Sequence, residues 1–399
     1  MVSKKDLKLS TFAEFRLPPE VYYGQGALST LKDVVPCLGS KVLIISDEVM
    51  EQIGHVERCV TYVQKAGAAH VTYMGVNTEP TDVYVDEALQ MLQEQNCDLI
   101  VAVGGGSCID TAKAVAVVAT NGGYIGEYVG GQKPITKEPV PLIAIPTTAG
   151  TGSEVTSVTV ITNTTADVKM MIKHPAFIPA VAIVDPLLTV TSPPKVTAAT
   201  GVDALCHAIE AYLSRMAQPL TDTLSLEAIR LISSSIRRAY QQGEDLEARD
   251  RMALGSMQAG IAFSNASVCL VHGMSRPIGA LFHVPHGVSN AMLLPAVLEY
   301  TLEACIDRMA VIGRVIKPEL EGQDDQKAAQ AAVQEIKQLC RDLNIPNMKT
   351  WGIDESRFRK VLDKMAQDAL ASGSPANNPR VPTHEEIVKL YEYCYDYDY

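Results

Sequence analysis

The feature that most constrains this chain is a change of texture near residue 188. Before it, short runs rich in β-branched residues alternate with stretches of helical period; after it, only helical patterns remain. Lys41–Ser46, His70–Tyr73, Leu99–Val103, Leu142–Ile145 and Val181–Val184 read as strands, with helices expected over Asp82–Gln95 and Thr111–Thr120. Such alternation implies a parallel sheet covered by helices. Beyond it, helical spacing recurs over Thr200–Ser214, Leu226–Gln241, Leu246–Phe263, Asp325–Leu343 and Glu355–Leu370. Ser192-Pro193-Pro194 reads as a helix start, with Ser192 as cap and proline in the first turn. The expected architecture is therefore an α/β domain over residues 1–188 and an all-helical domain over 189–399, consistent with a length of 399 residues. No internal repeat breaks this pattern, and the tyrosine-rich tail Tyr391–Tyr399 carries no functional signal.

Composition removes several function classes. With 47% hydrophobic and 20% charged residues the chain has the makeup of a globular protein, not a disordered one. Its formal charge of −12, from 34 basic and 46 acidic residues without a basic cluster, argues against nucleic-acid binding. No apolar run approaches the ~18 residues of a membrane span, and the charged start MVSKKDLKLS lacks the apolar core of a secretory signal. Nine scattered cysteines without a C-x-x-C pair suggest reduced thiols and a cytoplasmic location.

The turn Gly104-Gly105-Gly106-Ser107-Cys108-Ile109-Asp110 follows one strand and leads into a helix. Glycines let the backbone approach a ligand, and a helix N-terminus offers free N–H groups and positive dipole character, a combination suited to a pyrophosphate. Ser107 and Asp110 are competent caps. Asp47, directly after the strand Lys41–Ser46, can accept from ribose hydroxyls and would repel a 2′-phosphate, favouring NAD over NADP. Pro146-Thr147-Thr148-Ala149-Gly150-Thr151-Gly152-Ser153 clusters hydroxyls and glycines at another strand end. The order is unusual for a dinucleotide fold, because Asp47 precedes Gly104 by about 60 residues.

Three of the eight histidines, His272, His283 and His286, fall within fifteen residues. A fourth, His207, lies four residues after Asp203, which puts the two one turn apart on one helix face among apolar neighbours. A buried Asp and His need partners, and a divalent cation is one. Three imidazoles and a carboxylate suit Fe²⁺ or Zn²⁺ with a coordination position left open. His55, His70, His174 and His384 sit apart from this group. Cys206 and Cys269 read as small apolar residues, Cys206 lying off the Asp203/His207 face.

Together, GGGSCIDTAKA at Gly104–Ala114, PTTAGTGSEVT at Pro146–Thr156, GVDALCHAIEAYLS at Gly201–Ser214 and HGMSRPIGALFHVPHG at His272–Gly287 resemble the iron-dependent (group III) alcohol dehydrogenases. The resemblance extends to ASGSPANNPRVPT at Ala371–Thr383 and covers nearly the whole chain. It implies an N-terminal dinucleotide-binding domain and a helical metal-binding domain. The implied metal ligands are Asp203, His207, His272 and His286, holding Fe²⁺ or in some members Zn²⁺. The implied dinucleotide contacts are Asp47, Gly105, Gly106, Ser107, Thr147, Thr148, Thr156 and Lys169. It further implies a small-molecule alcohol or aldehyde substrate and a homodimer or larger homo-oligomer. Several members carry a histidine four residues after the third ligand, where this chain has Arg276; His283 is the nearest substitute for a proton relay.

The expected reaction is hydride transfer between NAD(H) and a short-chain alcohol or aldehyde activated by the cation. If the helix continues from His272, Arg276 faces the same way one turn on, and its guanidinium suits a carboxylate or sulfonate on the substrate. A structural pairing of Arg276 with Glu210 is the alternative. A neutral-substrate alcohol or diol dehydrogenase, a lyase of the dehydroquinate-synthase type and a non-enzymatic metal- or nucleotide-binding regulator are the competing functions.

Overall fold

All five strand-like runs are strands, and sequence reading missed three more. The structure is a computed structural model that describes residues 13–399; the segment MVSKKDLKLS lies outside them. The strands are β1 (Glu20–Tyr23), β2 (Lys41–Ile45), β3 (Ala69–Tyr73), β4 (Leu99–Gly104), β5 (Leu142–Pro146), β6 (Val158–Asn163), β7 (Val168–Lys173) and β8 (Val181–Val184). Six of them form a sheet in the order β1-β8-β5-β4-β2-β3, every neighbour parallel. The other two, β6 and β7, make an antiparallel hairpin with Thr162 opposite Lys169.

The helices of this half are α1 (Leu31–Leu38), α2 (Glu48–Gln52), α3 (His55–Lys65), α4 (Asp82–Glu94) and α5 (Gly106–Asn121). Alternate strand residues serve opposite faces of the sheet. Val42, Ile44, Val101 and Ile143 pack on α1 and α3, whereas Leu43, Ile45, Ile100 and Ala144 pack on α4 and α5. Both faces are covered, which is why these strands read as continuous apolar runs rather than alternating ones.

The second half is helical throughout: α6 (Pro194–Leu213), α7 (Pro219–Gln241), α8 (Leu246–Ala266), α9 (Leu270–Phe282), α10 (His286–Thr301), α11 (Ile306–Ile316), α12 (Asp325–Asp342), α13 (Met348–Trp351), α14 (Glu355–Ala371) and α15 (His384–Tyr395). Their core is one cluster that includes Val202, Leu205, Ile209, Ile232, Met274, Leu294 and Phe358. Among the described residues, no single helix is long and apolar enough to cross a bilayer.

Two helix starts differ from the sequence reading. Pro193, not Ser192, precedes α6, and no side chain caps it. Likewise α5 begins at Gly106 behind Gly105, five residues earlier than expected and without a side-chain cap. Ser107 and Asp110 therefore lie inside its first turns. Asp110 instead turns into the protein, where its carboxylate accepts from Ser153 Oγ and from Val160 N at 2.9 Å. The tyrosine tail is a structural lock: Tyr391 OH donates to Met274 O at 2.6 Å, Tyr395 OH to Ile353 O at 2.8 Å and Tyr399 OH to Pro346 O at 3.1 Å.

Candidate functional site

The sheet order explains the unusual spacing of Asp47 and the glycine turn. From β2 the chain first adds β3 on one side, then crosses to place β4 on the other. Their following loops part at the strand ends, which makes the kind of crevice where open α/β sheets bind ligands. Asp47 and Gly104 are distant in sequence yet stand at the ends of two neighbouring strands, β2 and β4, with Ile45 opposite Ala102 and Ser46 Oγ donating to Val103 O at 2.6 Å.

A cleft of about 350 Å³ opens there, lined by Asp47, Gly105, Ser107, Cys108, Thr147 and Thr148 among others. Asp47 caps α2 by accepting from Met50 N at 2.9 Å, while its second oxygen lies 3.5 Å from Cys108 Sγ. At Gly104 the backbone has φ 152, and a Cβ would stand 2.6 Å from Cys108 Sγ, so only glycine fits the turn. Because α5 has no side-chain cap, its first N–H groups remain free for an anion.

Three expected cofactor residues stand outside the cleft lining. Gly106 backs onto Thr151, whose Cγ2 would be 2.8 Å from an added Cβ. Thr156 is buried beneath the turn, its hydroxyl accepting from Lys113 Nζ at 2.9 Å. Lys169, on β7, pairs with Glu79 at 3.1 Å; Glu79 lines the cleft, so Lys169 touches the site through it. Lys169 Nζ also reaches Gly279 of α9, 3.1 Å from where a Cβ would stand.

The second cluster sits in the helical half, close to the loop after β5. Asp203 and His207 come from α6, His272 from the first turn of α9 and His286 from the start of α10. One ligand atom from each lies within 4.8 Å of every other. Asp203 Oδ1 is 4.0 Å from His207 Nδ1 and 3.6 Å from His272 Nε2. The ring of His207 stacks between Phe263, at 4.2 Å, and His272, at 4.4 Å. His207 Nδ1 is buried with no hydrogen-bond partner.

Asn290, one turn after His286, marks the centre. Its amide nitrogen is 2.6 Å from Asp203 Oδ1, 3.0 Å from His272 Nε2 and 3.1 Å from His286 Nε2. Three acceptor directions thus converge on one donor, and a third imidazole nitrogen, His207 Nδ1, stands unpartnered beside them. One carboxylate oxygen and three imidazole nitrogens fit a borderline divalent cation such as Fe²⁺ or Zn²⁺.

The electrostatics keep three of the four residues deprotonated at neutral pH in the absence of a cation, and His272 is the exception. Burial alone would raise Asp203, but the imidazoles of His207 and His286 and the contact with His272 hold it well below the usual carboxylate range. Burial pushes His207 down to about 4 and His286 well below an ordinary imidazole. His272 goes the other way, up to about 9: burial works against its charge, but the Glu210 carboxylate and Asp203 outweigh that.

Several sequence expectations need correction. Glu210 is not the partner of Arg276: its two oxygens accept from Val271 N and meet His272 Nδ1, both at 2.6 Å. Arg276 donates to Ser374 Oγ at 3.0 Å and contacts Met171 Sδ at 3.2 Å. The helix continues through Pro277, so Arg276 does stand one turn beyond His272. That same continuity removes His283, which lies eleven residues from His272, about three turns, in a left-handed conformation at φ 55 and exposed to solvent. It is not part of the cluster. Cys206 is closer than expected, its Sγ 3.9 Å from His272 Nδ1.

Glu210, Asn290, Phe263 and Ser374 were not read as site residues. Spacing held a signal for two of them: Glu210 follows Asp203 by seven positions on one helix face, and Asn290 follows His286 by four. Phe263 and Ser374 come from distant segments and carry no such signal.

Known proteins match this arrangement along its whole length. The family described as iron-containing alcohol dehydrogenase matches residues 18–186, and its C-terminal counterpart, the Fe-containing alcohol dehydrogenase family, matches residues 197–395. The 1,3-propanediol dehydrogenase of Citrobacter freundii is 38% identical over 386 residues, 96% of this chain and 98% of that protein. A crystal structure of a 1,3-propanediol oxidoreductase superposes with a TM-score of 0.92 at 37% identity, covering 96% of this chain and all of that one. The sulfoacetaldehyde reductase of Bifidobacterium kashiwanohense, solved with NAD⁺, superposes with a TM-score of 0.86 at 28% identity, covering 97% of this chain and all of that one. The chain belongs to the iron-containing alcohol dehydrogenase family.

Proposed function

We propose that this oxidoreductase interconverts a short-chain aldehyde and alcohol carrying an anionic group, carboxylate or sulfonate, with NAD(H) as redox partner. In this reading the α/β half, residues 1–188, holds the dinucleotide along Asp47, Gly105, Gly106, Ser107, Thr147 and Thr148. Thr156 and Lys169 support that site from beneath and beside it. The helical half, residues 189–399, holds the cation through Asp203, His207, His272 and His286. When bound, the cation supplies Lewis acidity and the nicotinamide supplies or takes the hydride.

The rest is work for the chain itself. Asp203 contributes the negative charge that offsets a divalent ion among neutral imidazoles. Phe263 stacks on His207 and keeps water from its buried edge. Gly150 abuts Thr200 of α6, whose Cβ would lie 2.5 Å from an added Cβ, and this close approach holds the ligand helix against the loop carrying Thr147 and Thr148. The two binding regions are thereby held in one geometry, as hydride transfer requires.

The observation that carries the substrate class is Arg276. Its guanidinium stands one turn from His272, burial lowers its proton affinity, and among the described residues no carboxylate lies within 4.0 Å of it. Its two contacts, a hydroxyl and a thioether, are neutral. The Glu210 carboxylate, engaged with His272, offsets the desolvation of this half-buried cation only in part, and a substrate anion would offset the rest through paired N–H donors. A relative named as a sulfoacetaldehyde reductase supports the same class. The neutral-alcohol or diol reading draws on the propanediol relative instead. Family membership as an oxidoreductase leaves the lyase and regulator readings without support.

Kinetics of Arg276→Ala separate the two substrate readings. For a short carboxylated or sulfonated aldehyde kcat/KM should fall roughly 10- to 100-fold, the worth of one or two charge-assisted hydrogen bonds. A neutral aldehyde of equal length should change less than about threefold. Equal losses on both overturn the anion site. Two coarser expectations accompany this proposal. Nine free cysteines suit a reducing cytoplasm, and β1, paired only with β8 among the described residues, leaves an edge for a second copy of the chain.

A further inference from the structure

Cys206, Glu210 and His272 form a second group of potential ligands directly behind the first, fully buried and without an assigned part in the reaction. Glu210 sits on the same face of α6 as Asp203 and His207, at spacings of seven and three residues. It is 3% exposed, and both its oxygens are committed. One accepts from Val271 N and the other meets His272 Nδ1, each at 2.6 Å. Val271 lies in the first turn of α9, whose leading N–H groups have no partner within the helix and whose dipole favours an anion.

A carboxylate can only accept hydrogen bonds, so the ring nitrogen facing it must carry the hydrogen. His272 Nδ1 is then the N–H, and Nε2 keeps its lone pair. Nε2 is the nitrogen that points at the cluster, 3.6 Å from Asp203 Oδ1 and 3.0 Å from the Asn290 amide. We propose that Glu210 is a positioning residue: it selects the tautomer of His272 whose Nε2 lone pair faces the cation site, and it locks α9 to α6 in that register. This rests on the reading that the four-residue cluster holds the cation.

Two other roles fit the geometry less well. A second metal ion on Cys206, Glu210 and His272 has no room between the carboxylate and Nδ1, because 2.6 Å is a hydrogen-bond length. The Cys206 Sγ faces the same Nδ1 at 3.9 Å, and that nitrogen is already committed to Glu210. A counter-ion role toward Arg276 fails because the guanidinium bonds Ser374 and Met171 instead. A purely structural clamp on Val271 N remains, and the test must separate it from positioning.

Glu210→Gln does so. The amide oxygen can still accept from Val271 N, but the amide nitrogen then faces Nδ1 as a donor and favours the opposite tautomer. Affinity for Zn²⁺, measured by competition with a chromophoric chelator, should fall roughly 10- to 100-fold, the usual loss for a carboxylate behind a metal-bound histidine. The visible spectrum of the Co²⁺-loaded protein should shift, while KM for NADH stays unchanged. One Zn²⁺ per chain, not two, is expected in the parent. Unchanged Zn²⁺ affinity together with an unchanged Co²⁺ spectrum reduces Glu210 to a clamp and overturns the proposal. If the variant does not fold, histidine ¹⁵N–¹H correlations of the Zn²⁺-loaded parent decide: a hydrogen on Nδ1 of His272 supports the proposal, and one on Nε2 overturns it. Failure of the parent to bind Zn²⁺, Co²⁺ or Fe²⁺ overturns the metal reading first, and this inference with it.

Discussion

Replacing Glu154 by glutamine should make the protein more stable at neutral pH, with a pH dependence that can be stated in advance. Glu154 lies in the short turn Ser153–Val155, between the loop after β5 and the hairpin, and is 3% exposed. The nearest cation, Lys113, spends its donors elsewhere: on Thr156 O at 3.0 Å, Thr156 Oγ1 at 2.9 Å and Val158 O at 2.8 Å. Burial therefore dominates and pushes the Glu154 carboxyl from its ordinary 4.5 up to about 7, with its own backbone N–H and Lys113 pulling only partly back. Between those values the folded chain holds a proton that the unfolded chain has released. The resulting stabilisation is complete below 4.5 and is lost as pH rises through about 7. At ~1.4 kcal/mol per pH unit this amounts to about 3 kcal/mol. Glutamine fills the same space without titrating. Urea unfolding should find parent and Glu154→Gln alike within ~1 kcal/mol near pH 5, and the variant ahead by about 3 kcal/mol near pH 7.5. A difference independent of pH refutes the argument. So does a variant that is weaker at pH 7.5, since that is the signature of a Glu154–Lys113 ion pair.

Two further outcomes follow from contacts at the cofactor side. Gly260→Ala on α8 should destabilise by about 1–3 kcal/mol, although the same change in an open helix stabilises by about 1. The added Cβ would lie 2.8 Å from Gly152 Cα and 2.8 Å from Val155 Cγ2; a raised melting temperature would contradict the close approach. Asp47→Ser keeps the cap on Met50 N but removes the charge facing the ribose, so the ratio of kcat/KM for NADPH to that for NADH should rise roughly tenfold. An unchanged ratio would place the ribose elsewhere.

How much of the fold was legible depended on whether a segment's apolar pattern was set by its own neighbours. The strands β2, β4, β5 and β8 are buried on both faces, so each is a nearly unbroken apolar run and reads directly as a strand. The hairpin β6–β7 is half-buried and carries Thr159, Thr162, Lys169 and Lys173 among its apolar residues, which weakens the signal. The edge strand β1 is four residues long and none of them is buried, too little for any pattern to reveal. Helix starts went astray for a different reason. Ser192, Ser107 and Asp110 are good caps by type, yet α5 and α6 begin without one, and Asp110 is drawn inward by Ser153 and Val160 from segments far along the chain. Propensity is local, and tertiary partners override it.

The site divides along the same line. The four clustered residues stood out because histidines are scarce here, His272 and His286 sit close together, and Asp203 and His207 share a helix face. What surrounds them did not stand out. Glu210 looked like a free acid for Arg276, because sequence places the two within reach of one pocket but says nothing of which donor arrives first. In the fold, Val271 N and His272 Nδ1 take both its oxygens, and Arg276 is left with neutral partners. One misassigned carboxylate thus carries two consequences. It is proposed to aim His272, and by bonding elsewhere it turns Arg276 from half of a structural pair into a half-buried charge that no carboxylate contacts within 4.0 Å among the described residues. The proposed substrate class therefore leans on a contact that no spacing rule could have found, since residues 210 and 272 meet only once α6 and α9 are packed.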